Sequence, residues 1–107
     1  MEQFKIINNS NLIEMKKIAV IGLGYVGLPL ARLFATKYSV VGFDINKDRV
    51  DSLRSGVDAT LEVENDVLKS VLLEQPGNDI GLFCSYNLSD IADCNYYIVT
   101  VPTPVDK

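Results

Sequence analysis

The chain has 107 residues, 48% hydrophobic and 22% charged, with a formal net charge of −4 at pH 7. These values fit an ordinary folded domain, and the acidic balance excludes the clustered Lys and Arg of a nucleic-acid surface. No apolar run approaches the ~20 residues that span a bilayer, and the absence of His removes the commonest general base and metal ligand. Residues 1–15, with the polar cluster Asn8-Asn9-Ser10-Asn11, read as a flexible or loosely docked leader lacking the apolar core of a signal peptide. Without such a signal, Cys84 and Cys94 read as reduced thiols and the chain as cytoplasmic.

Ile18-Ala19-Val20-Ile21 is a short continuous apolar run, as expected of a strand buried on both faces. The spacing of Leu30, Leu33 and Phe34 predicts a helix over 28–38. Val40-Val41-Gly42-Phe43 reads as a second strand ending at Asp44. A surface helix follows over 46–54, with Asn46 as candidate N-cap and Gly56 just past its end. Val63, Val67, Leu68, Val71 and Leu72 predict another helix over 62–73. Residues 82–86 read as a third strand, 89–93 as a short helical connection and 96–101 as a fourth strand, stopped by Pro102. Strands alternating with helices imply parallel pairing in an α/β layer structure.

The strongest local signal is Gly22-Leu23-Gly24-Tyr25-Val26-Gly27, a G-x-G-x-x-G run that follows a buried strand and opens a helix. Gly22 allows the tight turn, Gly24 lets a pyrophosphate approach the backbone, and Gly27 lets the helix pack against the strand. The helix N-terminus offers amides and a positive dipole end to phosphates. Asp44 stands 22 residues after Gly22, where an acidic side chain accepts hydrogen bonds from the adenosine ribose. Its charge repels a 2′-phosphate, which favours NAD over NADP. Arg49 is within reach of the adenosine ribose or the pyrophosphate, and equally reads as a solvated helix charge.

The run 18–30, the segment 41–47 and Val99-Thr100-Val101-Pro102-Thr103-Pro104 together resemble the UDP-glucose/GDP-mannose dehydrogenase family of nucleotide-sugar 6-dehydrogenases. The resemblance runs from about Lys16 to the last residue, and places an incomplete NAD-binding domain over 16–107. Ser55-Gly56-Val57-Asp58 and Leu61-Glu62 are most similar to the branch that oxidises UDP-N-acetylhexosamines, which includes enzymes of Vi-type polysaccharide synthesis. The family pattern implies that the Tyr25 and Val26 amides meet the pyrophosphate and that Asp44 meets the adenosine ribose with Arg49 beside it. It implies that Val101, Pro102 and Thr103 lie near the far ribose and nicotinamide. It also implies oxidation of a UDP-sugar C6 alcohol to a carboxylate with two NAD⁺, through a cysteine nucleophile that this chain does not contain. The fragment is therefore expected to be inactive alone.

The expected fold is a Rossmann-like, doubly wound parallel sheet truncated to about four strands, in order 3-2-1-4, with helices on both faces. The fourth strand would then be an exposed edge with apolar helix-packing surface uncovered nearby, and self-association into a homo-oligomer through that edge or face is expected. Cys84 and Cys94 read as small apolar residues, since no neighbouring base or cation lowers a thiol pKa. Glu62, Glu64 and Asp66 read as a solvated helix start, and Tyr96 and Tyr97 as packing residues. No metal site is expected. An alternative reading is a stand-alone regulatory nucleotide-sensing module, because Asp58-Ala59-Thr60 superficially resembles an element of domains that gate potassium transporters. That element should follow a third strand, whereas here it precedes a helix. A third reading is a degenerate fragment that binds nothing.

Overall fold

Ile18, Val20 and Ile98 pack on one side of a central sheet, and Ala19, Val41 and Phe43 on the other, and all six are buried. The structure, a computed structural model, describes residues 4–8 and 16–100. Its strands are β1 (Phe4–Asn8), β2 (Lys17–Ile21), β3 (Ser39–Phe43), β4 (Gly81–Ser85) and β5 (Tyr96–Thr100). The helices are α1 (Gly27–Phe34), α2 (Lys47–Arg54) and α3 (Asn65–Val71), with a 3-10 helix at Leu88–Ile91.

The sheet order is β1-β5-β2-β3-β4. The pairs β2–β3, β2–β5 and β3–β4 are parallel. The four strands read from the sequence are therefore β2, β3, β4 and β5, in the expected order 3-2-1-4. The unexpected element is β1, which lies in the stretch read as a leader and pairs antiparallel with β5, Phe4 opposite Thr100 and Asn8 opposite Tyr96. The edge of β5 is thus covered in this chain, and the expected open edge as a cause of self-association is corrected. Residues 1–3, 9–15 and 101–107 lie outside the described residues.

The helices divide unevenly between the faces. Leu28 and Ala31 of α1, Val50 and Leu53 of α2 and Leu68 of α3 all join one core cluster. Among the described residues, the opposite face carries only the 3-10 helix, through Ile91. Full burial of Leu23, Leu28, Leu53, Leu68 and Leu82 contributes about 1.5–3 kcal/mol each relative to exposure.

Helix ends follow local chemistry. Asn46 Oδ1 accepts the Arg49 N–H at 3.0 Å and caps α2, as its side-chain type predicts. Past its end Gly56 has φ +89°, its N–H donates to Leu53 O at 2.9 Å, and the Val57 N–H donates to Ser52 O at 3.0 Å. That is a Schellman closure, which needs a left-handed residue where glycine stands. α3 is shorter than the expected 62–73 at both ends. The Glu62 and Val63 amides bond Asp58 instead, and the Leu73 N–H donates to Leu82 O at 2.8 Å, drawing residues 72–73 alongside β4. No described helix is long and apolar enough to cross a membrane.

Candidate functional site

The site forms at the carboxyl ends of β2, β3 and β5, where the chain turns from β2 into α1. Gly22 has φ +98°, and its N–H donates to Phe43 O at 2.8 Å. A Cβ at Gly27 would overlap the Gly22 carbonyl oxygen, so α1 approaches the turn to a distance that no side chain permits. Gly24 differs: a Cβ there would meet nothing within 4 Å, and the residue is exposed. The Leu28 N–H donates to Gly24 O at 3.1 Å, and the amides of Gly24 to Gly27 precede that first helical bond. Tyr25 is 69% exposed beside them.

Leu23 is the residue around which the turn is built. Its side chain is fully buried, so it cannot serve a ligand, but its backbone N–H and C=O are both held by charged groups. Its N–H donates to Asp44 Oδ2 at 2.9 Å. Its carbonyl accepts from Arg49 Nε at 2.9 Å and Nη2 at 2.7 Å. Asp44 sits at the end of β3, half-buried, and its Oδ1 accepts the Asn46 N–H at 2.9 Å. Each carboxylate oxygen keeps lone-pair capacity for a further donor, such as a ribose hydroxyl.

Arg49 is not a solvated helix charge. Its Nη1 donates to Asp58 Oδ1 at 2.7 Å, with the Arg49 side chain 11% and the Asp58 side chain 0% exposed. Asp58 also accepts from the Thr60 N–H (2.9 Å), Thr60 Oγ1 (2.6 Å), Glu62 N–H (2.8 Å) and Val63 N–H (2.9 Å). Burial pushes its carboxyl pKa up. The hydrogen bonds from Thr60, Arg49 and Val63 outweigh that and hold it well below the usual carboxylate range. From the third strand of the site, Thr100 Oγ1 lies 3.0 Å from Ile21 O and 3.1 Å from Gly22 O, and shares its single hydrogen between them.

The structure thus brings Gly22, Gly24, Tyr25, Val26, Gly27, Asp44 and Arg49 to one end of the sheet, while Val101, Pro102 and Thr103 lie outside the described residues. Sequence reasoning missed the roles of Asp58, Thr60 and Thr100. An Asp that bonds the backbone two residues on is an Asx turn, and that local signal at Asp58-Ala59-Thr60 was not used. The anchoring of Arg49 by Asp58 carries no such local signal. The two thiols lie elsewhere in the fold. Burial pushes Cys84 up to about 12 and Cys94 up to about 11, so both are protonated at neutral pH. No cluster of three or more His, Cys, Asp or Glu suited to a metal occurs among the described residues.

Residues 16–107 match the family model described as the UDP-glucose/GDP-mannose dehydrogenase family, NAD binding domain. The chain belongs to this family. NAD is accordingly the cofactor of this domain, and the open space at Gly24, the amides that precede the first helical bond of α1 and the Asp44 carboxylate fit it. A Pseudomonas aeruginosa UDP-N-acetyl-D-glucosamine 6-dehydrogenase is 52% identical over 91 residues, covering 85% of this chain and 20% of the relative. A Salmonella typhi protein of the same description is 45% identical over 94 residues, covering 88% of this chain and 20% of the relative. The chain therefore spans about 20% of the length of these curated relatives. A solved UDP-D-ManNAc dehydrogenase from Pyrococcus horikoshii matches with TM-score 0.62 and 33% identity, over 74% of this chain and 18% of that one. Family membership separates the chain from the stand-alone nucleotide-sensing modules.

Proposed function

We propose that this chain is the NAD-binding N-terminal part of a UDP-N-acetylhexosamine 6-dehydrogenase that acts in the cytoplasm in surface polysaccharide synthesis. Residues 16–107 form the incomplete NAD domain and residues 1–15 a leader that contributes β1. The whole protein oxidises the sugar's C6 alcohol to a uronic acid, and NAD, when bound, supplies the hydride acceptor for both steps. The chain's own residues bind and orient. Amides of residues 24–27 face the pyrophosphate at the start of α1. The Asp44 carboxylate accepts the hydroxyls of the adenosine ribose and repels a 2′-phosphate. Val101, Pro102 and Thr103 are assigned to the nicotinamide half from the family pattern. Cys84 and Cys94 are buried and protonated and neither matches the family's nucleophile, so this chain alone is expected not to turn over UDP-sugars.

The observation that carries this reading is the half-buried Asp44 carboxylate joined through the Leu23 N–H to the glycine turn, with space left open over Gly24. The sugar class follows from the relatives named as UDP-N-acetyl-D-glucosamine and UDP-N-acetyl-D-mannosamine dehydrogenases. Calorimetric titration tests the cofactor half of the reading: NAD⁺ binds, ATP does not, and Asp44→Ala weakens NAD⁺ about tenfold or more. Heat from neither nucleotide counts against it. A homo-oligomer is the expected state of the whole protein, to be read by light scattering. A largely apolar groove of about 300 Å³ lined by Lys16, Ile18, Phe34, Tyr38, Tyr96 and Ile98 supports an association surface.

A further inference from the structure

Arg49 stands where an NADP-binding domain would use an arginine. Dinucleotide folds that take NADP place an Arg beside the adenosine ribose to meet the 2′-phosphate. Asp44 and Arg49 hold the two backbone groups of a single residue here, the carboxylate on the Leu23 N–H and the guanidinium on the Leu23 carbonyl. Yet the guanidinium is committed. Nε and Nη2 lie on the carbonyl and Nη1 on Asp58, with the side chain 11% exposed. Asp58 is itself fully buried and held by Thr60, Glu62 and Val63 as well as Arg49.

We propose that Asp58 is a specificity-determining residue, which anchors Arg49 on the Leu23 carbonyl and so withholds the guanidinium from a 2′-phosphate. Discrimination against NADP then rests on two carboxylates. Asp44 repels the phosphate directly, and Asp58 denies it a cation. Swinging Arg49 outward would break its bonds to Leu23 and leave the Asp58 charge buried without a counter-ion, a cost that one solvent-exposed phosphate contact does not offset. A neutral side chain at position 58 removes the second part of that cost and frees the arginine. This inference rests on the reading of Asp44 at the adenosine ribose. It predicts that replacing Asp44 alone does not convert the site.

Calorimetric titrations of NAD⁺ and NADP⁺ into the chain test it, with a melting transition recorded for each variant. Wild type is expected to prefer NAD⁺. Asp44→Ser loses NAD⁺ affinity and gains no more than about twofold for NADP⁺. Adding Asp58→Asn to Asp44→Ser raises NADP⁺ affinity about tenfold or more, the scale of one charge-assisted hydrogen bond. A folded double variant with no such gain overturns the proposal, as does tight NADP⁺ binding by Asp44→Ser alone. If the variants carrying Asp58→Asn do not melt cooperatively, Asp44→Ser/Arg49→Lys decides. NADP⁺ affinity within about twofold of Asp44→Ser supports a sequestered arginine, and a loss of about tenfold or more overturns it. Wild type that binds neither dinucleotide refutes the Asp44 reading itself, whereas the outcomes above arise with NAD⁺ binding by wild type intact.

Discussion

The two ends of the sheet each carry an ion pair, and the pairs are built differently. At the carboxyl end Arg49–Asp58 is 2.7 Å long with side chains 11% and 0% exposed. At the amino end Lys17–Asp93 is 3.0 Å long, with the lysine 10% and the aspartate 71% exposed. Asp58 receives backbone and hydroxyl donors besides its arginine, and the arginine in turn holds a backbone carbonyl. Asp93 meets the Lys17 ammonium through both oxygens and otherwise faces water. The first pair fixes the path of the main chain at the candidate site. The second neutralises a lysine at the edge of the core, where Asn95 does the backbone work by pairing with both the N–H and the C=O of Lys17. Equal-looking salt bridges thus differ in purpose by what else their atoms hold.

That contrast is broken most strongly at Asp58. Asp58→Ala removes one partner of a buried pair and is expected to cost about 3–5 kcal/mol of stability in urea unfolding. A loss under about 1 kcal/mol, the scale of an exposed pair, would make the two ends equivalent. Next is Gly27→Ala, whose Cβ would overlap the Gly22 carbonyl. Because backbone must move, about 3 kcal/mol is expected, with NAD⁺ affinity falling alongside. Acid sharpens the comparison further. The folded pKa of Asp58 is depressed, so its contribution is complete above the unfolded value of about 3.9 and drains away as pH falls below it. Melting temperatures taken down through that range should fall more steeply for wild type than for Asp58→Ala. Thr100→Val deletes one hydroxyl that bridges two carbonyls, for about 1 kcal/mol. Smallest is Asp93→Asn, expected to cost about 0–1 kcal/mol and to lose even that in high salt.

What the sequence made legible was local or periodic. The glycine turn, Asp44 and the Asn46 cap depend on residues close in the chain, and each appears where its spacing placed it. The order of β2 to β5 followed from alternating strands and helices with right-handed crossovers. Asp58 was noticed only for a superficial resemblance and not as a partner of Arg49, because their meeting depends on how the chain returns from α2 to α3. β1 was missed for a related reason. Phe4 to Asn8 is flanked by a polar cluster, and its hydrogen bonds go to β5 at the far end of the described chain. Helix ends failed where tertiary contacts captured the backbone, as at Glu62 and Leu73.

The Thr100 hydroxyl has a bearing on folding order. It reaches back 79 residues to Ile21 and 78 to Gly22, and the Lys17–Asn95 pairing spans a similar distance. The β2–α1–β3 unit can form from near neighbours, whereas closing so long a loop is slow and entropically costly. The glycine turn therefore acquires its final brace only after β5 has docked against β2. In pulse-labelling hydrogen exchange, the Gly22 amide, which bonds Phe43, should gain protection with β3, while full protection of β5 arrives later. A nascent chain would hold the scaffold of the dinucleotide cradle before it held the cradle itself.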